Sequence, residues 1–233
     1  MNKIEILGLS DLPEFKEGQN IAKEILRCCS IHKIKITNKS ILVVAQKIVS
    51  KVEGQKVKIL DEKEYHSLVS SQAKRIVRKR GNTIIAQTKH GFICANVGID
   101  RSNIEDGYAL LLPENPDLSA EKIRDDIENE LSIEVGVIIS DTFGRAWRNG
   151  QVNVAIGISG IEPIKNYIGE KDSFGNELNV TQIAIVDEIS SAAELVMGKS
   201  ENIPVAIINN YKFTRSDGKV EEVIRKESED YFL

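Results

Sequence analysis

The chain has 233 residues, of which 41% are hydrophobic and 28% charged, and a formal net charge of −4. That length suits one large domain or two lobes sharing a core. The acidic balance excludes a general nucleic-acid binder, which needs a clustered positive surplus, and no stretch approaches the roughly 20 apolar residues that span a bilayer.

The opening segment, Met1 to Ser10, lacks a basic leader with an apolar region behind it and reads as a first strand over Ile4 to Leu7. Ile21 to Cys28 has helical spacing, and Ile41 to Ala45 is a short β-branched strand. Cys28, Cys29 and Cys94 have neither CxxC spacing nor a disulfide framework, so they are expected reduced and buried in a cytoplasmic protein. Ser67 to Arg80 reads as a helix with a basic end. Thr83 to Gln87 and Phe92 to Ala95 read as a strand pair turning near Lys89, His90 and Gly91.

Ser119 to Leu131 reads as a helix capped by Ser119, with Glu121 and Asp125 in its early turns. Val135 to Ser140 is the clearest buried strand, and Val152 to Ile158 alternates like a second. Val180 to Met197 has the strongest helical stripe, through Ile183, Val186, Ile189, Ala193 and Val196. Val205 to Ile208 returns as a strand, and the tail from Arg215 is charged and peripheral. Together these elements predict a mixed α+β class with mixed sheets and flanking helices. A single domain over 1–233 is expected, its two lobes meeting near the Pro-containing stretch Leu112 to Ser119.

One nucleotide motif is a decoy. Ala193 to Ser200, AELVMGKS, nearly spells a P-loop but carries alanine where the first glycine belongs. A P-loop opens a helix, whereas this GKS follows one, so Gly198 reads as a helix C-cap. Ile183 to Glu188 likewise imitates a Walker B strand with helical spacing. The fold is therefore expected to be neither P-loop nor Rossmann.

Three segments carry chemistry. Val135 to Ser140 runs into Asp141 and Thr142, hard oxygens for Mg²⁺ or Mn²⁺, and then into Arg145 and Arg148, which suit phosphate or carboxylate. An Asp-Thr turn with two arginines in surface ion pairs reads equally from those residues. Asn96 to Asp100 follows another apolar strand, where Gly98 permits a tight turn that presents Asp100, with Ser102 and Asn103 next. Two strand-end acids suit a divalent ion facing a triphosphate, although two independent Asx-turns fit as well. Gln46, Lys47 and Lys51 follow a buried strand and suit an anion, or a plain solvated surface. His32, His66 and His90 lie in unrelated contexts and form neither a metal cluster nor a triad.

In this order the same segments resemble the coenzyme F420-0:γ-glutamyl ligase family. The strings are Val43 to Gly54, His90 to Asn103, Ser140 to Ile161, Tyr167-Ile168-Gly169, Asp172, Gly175 and Leu178, Asp187 to Lys199, and Ile203-Pro204. The resemblance implies a fold of its own, usually homodimeric, and a GTP-dependent ligation of L-glutamate to coenzyme F420-0 through an acyl phosphate. It implies Asp100 and Asp141 as ligands of one divalent ion, Mg²⁺ or Mn²⁺, Thr142 as a ligand of a second, and K⁺ as a further candidate ion. It places the nucleotide on Leu12, Pro13, Glu14 and Phe15, on Gln46, Lys47, Lys51 and Asn103, and on the loop Met197, Gly198, Lys199, Ser200, Glu201, Asn202 and Ile203. That loop is a residue shorter than the family pattern, with Lys199 and Ser200 in place of a more Gly- and acid-rich stretch. Arg145 and Arg148 are expected, from their chemistry, to meet substrate or phosphate. The length points to a stand-alone ligase without the nitroreductase-like domain fused to some relatives. Two other readings compete: a same-fold ligase for another phosphorylated carboxylate, and a nucleotide-binding regulator without catalysis. A regulator would be expected to lack the metal acids.

Overall fold

A computed structural model of the chain describes residues 3–231, so the first two residues of the Met1–Ser10 segment lie outside it. The first half of the chain forms β1 (Glu5–Gly8), α1 (Ile21–His32), β2 (Ser40–Ala45), α2 (Gln46–Val52), β3 (Lys56–Lys58), α3 (Glu62–Gln72), β4 (Ala73–Arg80), β5 (Thr83–Thr88), β6 (Ile93–Ala95) and β7 (Tyr108–Leu110). The second half forms α4 (Pro116–Leu131), β8 (Val135–Arg145), β9 (Arg148–Ser159), β10 (Lys165–Asn166), β11 (Gln182–Ile183), α5 (Ile185–Met197) and β12 (Val205–Asn209). The mixed α+β class expected from the sequence is the class observed.

The main sheet runs β1-β12-β2-β8-β9. Its centre is a parallel pair, β2 with β8, and every other pairing in it is antiparallel. Ile41, Leu42, Val43 and Val44 on β2 are wholly buried, as are Val137, Ile138 and Ile139 on β8. A strand covered on both faces needs a continuous apolar run rather than alternation. Each such side chain contributes about 1.5–3 kcal/mol by leaving water, and that makes this pair the anchor of the large core.

Between β2 and β8 the chain detours to build a second, smaller core. Tyr65, Val69, Ile84, Ala86, Val97, Ile99 and Ala109 form it. The three-stranded sheet β4-β5-β6 and the short pair β3-β7 frame this lobe. Leu111 packs against the small core, while Leu112 belongs to the large one.

Several element boundaries differ from expectation. The helix read over Ser67 to Arg80 ends at Gln72, and β4 takes Ala73 to Arg80. Asp61 caps that helix from its other end, accepting the Glu64 amide. Gly81 at φ 58° then turns β4 directly into β5, with Arg80 opposite Thr83. Strand pairing overrode a basic stretch that has helical propensity when read alone.

Asn115, rather than Ser119, caps α4, with Pro116 in the first turn. Ser119 lies buried within the helix, where its hydroxyl meets Glu53. The helix read from Val180 starts at Ile185, because Gln182 and Ile183 pair with β10 instead. The seven-residue helix α2 has no counterpart among the elements expected from the sequence. The tail is more engaged than its charge suggests, since Arg215 holds Glu128 with two nitrogens and Val220 is buried.

Candidate active site

β8 is longer than the apolar run that announces it. Asp141 and Thr142 were expected at a strand end, but the strand continues through them to Arg145 and turns back as β9. Asp141 sits opposite Val154 and Thr142 opposite Asn153, just where the buried half of the hairpin gives way to the exposed half.

The second acid arrives from the small lobe. After β6 the backbone takes three successive left-handed residues, Asn96, Val97 and Gly98, at φ 50°, 52° and 71°. Valine in that region is strained. The turn is held by Asn96 Oδ1, which accepts the Ile84 amide at 3.0 Å, and by burial of Val97 in the small core. Gly98 suits the turn because φ 71° favours glycine and because a Cβ there would press on the Leu112 side chain at 2.9 Å. The result sets Asp100 in a bridge with Leu110, facing the main sheet.

Both acids line a cavity of about 730 Å³ between the lobes, within the usual range of about 300–1,000 Å³ for ligand sites. Lys47 and Lys51 reach it from α2, four residues apart and so on one face. Lys47 Nζ lies 2.9 Å from Asp100 Oδ2 and donates to Ser102 Oγ at 2.6 Å. The Ser102 amide donates to Asp100 Oδ1 at 2.7 Å. Lys51 pairs with Glu14 from the loop after β1. At the other end Lys199 Nζ meets Thr142 Oγ1 at 2.5 Å and Glu194 Oε1 at 2.8 Å.

The two carboxyls differ in proton affinity. Burial pushes Asp141 up to about 6, and the nearby Asp100 charge adds to it against the Thr142 amide, Lys47 and Lys199. Burial also raises Asp100, but Lys47 and the Ser102 amide outweigh it and hold that carboxyl below its ordinary value. A buried carboxyl held up chiefly by desolvation, with a second acid charge adding to it, is an arrangement a cation would relieve.

Among the described residues no three or more His, Cys, Asp or Glu gather into a metal cage. Mg²⁺ and Mn²⁺ facing phosphate need no cage, because one or two carboxylates suffice when substrate oxygens and water complete the shell. The two carboxylates Asp100 and Asp141 fit that description, while the Thr142 hydroxyl, expected on a second ion, is engaged by Asn153 and Lys199. Two further polar atoms at the cavity wall, Gln46 Oε1 and Ser140 Oγ, are buried without partners, a state proteins seldom tolerate unless a ligand or water completes it.

Of the positions singled out in the sequence, Leu12, Pro13, Glu14, Phe15, Gln46, Lys47, Lys51, Asp100, Asn103, Asp141, Thr142, Met197, Gly198, Lys199, Asn202 and Ile203 all line this cavity. Ser200 and Glu201 do not, and they bond to one another instead. Arg145 and Arg148 lie at the hairpin tip, outside the cavity wall, where Arg145 donates to the Asn149 carbonyl at 2.9 Å. Asn153, Glu194 and Gln151 also line the wall. They fall within the family-like strings Ser140 to Ile161 and Asp187 to Lys199, but nothing in their spacing assigned them to the site, because β9 and α5 bring them in only after folding.

The P-loop imitation resolves as expected: α5 ends at Met197, and the Gly198 amide, at φ 58°, donates to the Glu194 carbonyl. Lys199 nevertheless points into the cavity from beyond the helix end.

The fold and site define a two-lobed α+β chain with acids and lysines from separate elements around one cleft, a setting suited to an anionic ligand. Residues 10–210 match the family model described as F420-0:Gamma-glutamyl ligase. Three curated relatives are named coenzyme F420:L-glutamate ligase. That of Methanocaldococcus jannaschii is 44% identical, covering 99% of this chain and 97% of its own length. Those of Methanothermobacter thermautotrophicus and Methanococcus maripaludis are each 38% identical, with coverage of 97% or more on both sides. The chain belongs to the F420-0:γ-glutamyl ligase family, and it is an enzyme of the ligase class.

Proposed function

We propose that this enzyme joins L-glutamate to coenzyme F420-0, using GTP and a divalent ion, Mg²⁺ or Mn²⁺. The observation that carries the reading is the convergence of Asp100 and Asp141, from different lobes, on one cavity whose walls also carry Lys47, Lys51 and Lys199. The relatives' name, coenzyme F420:L-glutamate ligase, supports an F420-type acceptor and L-glutamate as the amino acid.

The chemistry needs charge neutralisation and positioning rather than a protein nucleophile. The terminal carboxylate of F420-0 takes the γ-phosphoryl group of GTP, giving an acyl phosphate and GDP. The glutamate amine attacks the acyl carbon, loses a proton and expels inorganic phosphate, leaving an amide. Lys47 and Lys51 bind phosphate oxygens by exchanging their partners Asp100 and Glu14. Asp100 and Asp141 would hold the divalent ion, which when bound supplies neutralisation of phosphate charge. Cys94 lines the cavity, but burial, with the Asp141 charge adding, pushes its thiol up to about 12. It therefore stays a thiol at neutral pH and is no competing nucleophile.

The test is direct. Purified protein is incubated with F420-0, L-glutamate, GTP and Mn²⁺ or Mg²⁺, and products are followed by mass spectrometry. Glutamyl mass increments that vanish without GTP or without metal are expected, and their number counts the additions. A folded protein that binds GTP yet adds no glutamate would point instead to another acceptor carboxylate.

A further inference from the structure

Lys199 sits in an unusual place for a surface lysine. Its ammonium is surrounded by side-chain oxygens from three separate elements: Thr142 Oγ1 on β8 at 2.5 Å, Asn153 Oδ1 on β9 at 3.3 Å, and Glu194 Oε1 on α5 at 2.8 Å. These oxygens are also tied to one another. The Thr142 hydroxyl donates to Asn153 Oδ1 at 2.7 Å, and Asn153 Nδ2 donates to Glu194 Oε2 at 2.7 Å. Carboxylate, amide and hydroxyl oxygens fixed by mutual hydrogen bonds make a cradle of hard donors, the kind that holds a metal cation. All four residues line the same cavity as Asp100 and Asp141.

An ordinary ion pair between Glu194 and Lys199 across the end of α5 accounts for one of the three contacts. It does not account for the two donors from the β8-β9 hairpin, which approach from another direction. Gly198 makes the approach possible. At φ 58° and ψ −166° it turns the chain sharply out of α5, so that the following side chain folds back over the hairpin.

We propose that Lys199 is a tethered cation: its ammonium fills a cation cradle made by Thr142, Asn153 and Glu194, so that the nucleotide-loaded enzyme binds a single divalent ion, at Asp100 and Asp141. A lysine so placed supplies the second positive charge beside the phosphates without recruiting it from solution. As a point charge with three rotatable donors, it can shift between the cradle oxygens and a phosphate oxygen without leaving the site. The inference rests on the nucleotide reading above and assigns Lys199 a binding role within it.

The test counts ions as well as turnover. Mn²⁺ is titrated into the full-length protein saturated with a β,γ-imido GTP analogue, and free Mn²⁺ is read from its electron paramagnetic resonance signal. Analogue binding is measured in parallel by calorimetry. The wild type is expected to take one Mn²⁺ per chain, and Lys199→Met two. Adding Thr142→Val to Lys199→Met removes a cradle donor and returns the count to one. Lys199 is largely exposed, so the single variant is expected to melt as the wild type does. Two ions in the wild type, or one in Lys199→Met with analogue still bound, would overturn the tethered cation while leaving the nucleotide site standing. No analogue bound by the wild type defeats the nucleotide reading, and the tethered cation falls with it.

Discussion

Asp141 ties the chemistry of this protein to its stability. With its carboxyl pushed up to about 6 from an ordinary 3.8, the folded state holds a proton that the unfolded state has already released. Between about pH 4 and pH 6 the folded chain thus binds more protons, and stability falls as pH rises through that window. By neutral pH the cost is on the order of 3 kcal/mol. Asp141→Asn removes the buried charge, so the ligand-free variant is expected to melt higher than the wild type at pH 7 and to converge with it near pH 4. Calorimetric melting in the presence of a chelator checks this, and a variant melting lower at pH 7 contradicts it. The same substitution removes a proposed metal ligand, so turnover is expected to fall by orders of magnitude. Near-normal activity with unchanged metal saturation would remove Asp141 from the ion site. In the wild type, Mn²⁺ affinity is expected to weaken below about pH 6, where the proton competes for the carboxylate.

Among the elements, β9 and the start of α4 approach each other closely at a glycine. A Cβ on Gly157 would fall 2.4 Å from the Pro116 carbonyl carbon and 2.5 Å from its Cβ. Next to it the Asp117 carboxylate accepts the Ile158 amide at 2.8 Å and the Val220 amide at 3.3 Å, binding helix, strand and tail together. Backbone cannot give way as a flexible side chain can, so Gly157→Ala is expected to destabilise the fold by about 1–3 kcal/mol. Denaturant melts would show a lower midpoint with an unchanged slope. An unshifted midpoint would mean that α4 can slide on the sheet. The β8-β9 hairpin illustrates the opposite case. Its outer half is exposed from Gly144 to Gln151, so Arg148→Ala there is expected to leave the midpoint alone.

At the scale of the whole molecule, the cavity is walled by both lobes, and the Lys47–Asp100 pair spans them. A ligand that bridges the lobes binds the folded chain and not the unfolded one. Nucleotide with Mn²⁺ at a hundredfold excess over its Kd is therefore expected to add about 2.7 kcal/mol of stability. Thermal melts with and without GTP and metal read that gain. Stabilisation by GTP alone, equal to that with metal, would separate the acids from nucleotide binding.

Much of this organisation was legible in the residues. Apolar runs announced β2, β8 and β12, because a doubly covered strand requires Ile, Val and Leu without interruption. The stripe Val186, Ile189 and Ala193 announced α5, and the turn at Gly98 correctly placed Asp100 beyond a strand. Other features depended on contacts distant in sequence. Ala73 to Arg80 became a strand because β5 was there to pair with it, and α2 is too short for its periodicity to stand out. Asp141 and Thr142 proved to be mid-strand, because β9 extends the pairing past the apolar run. The cradle of Thr142, Asn153 and Glu194 around Lys199 could not be read in advance. Its members lie on β8, β9, α5 and the loop beyond, and only the packing of α5 on the hairpin closes the distance between them. Burial and periodicity are properties a local segment carries with it, whereas the meeting of polar atoms from separate segments is decided by the fold as a whole.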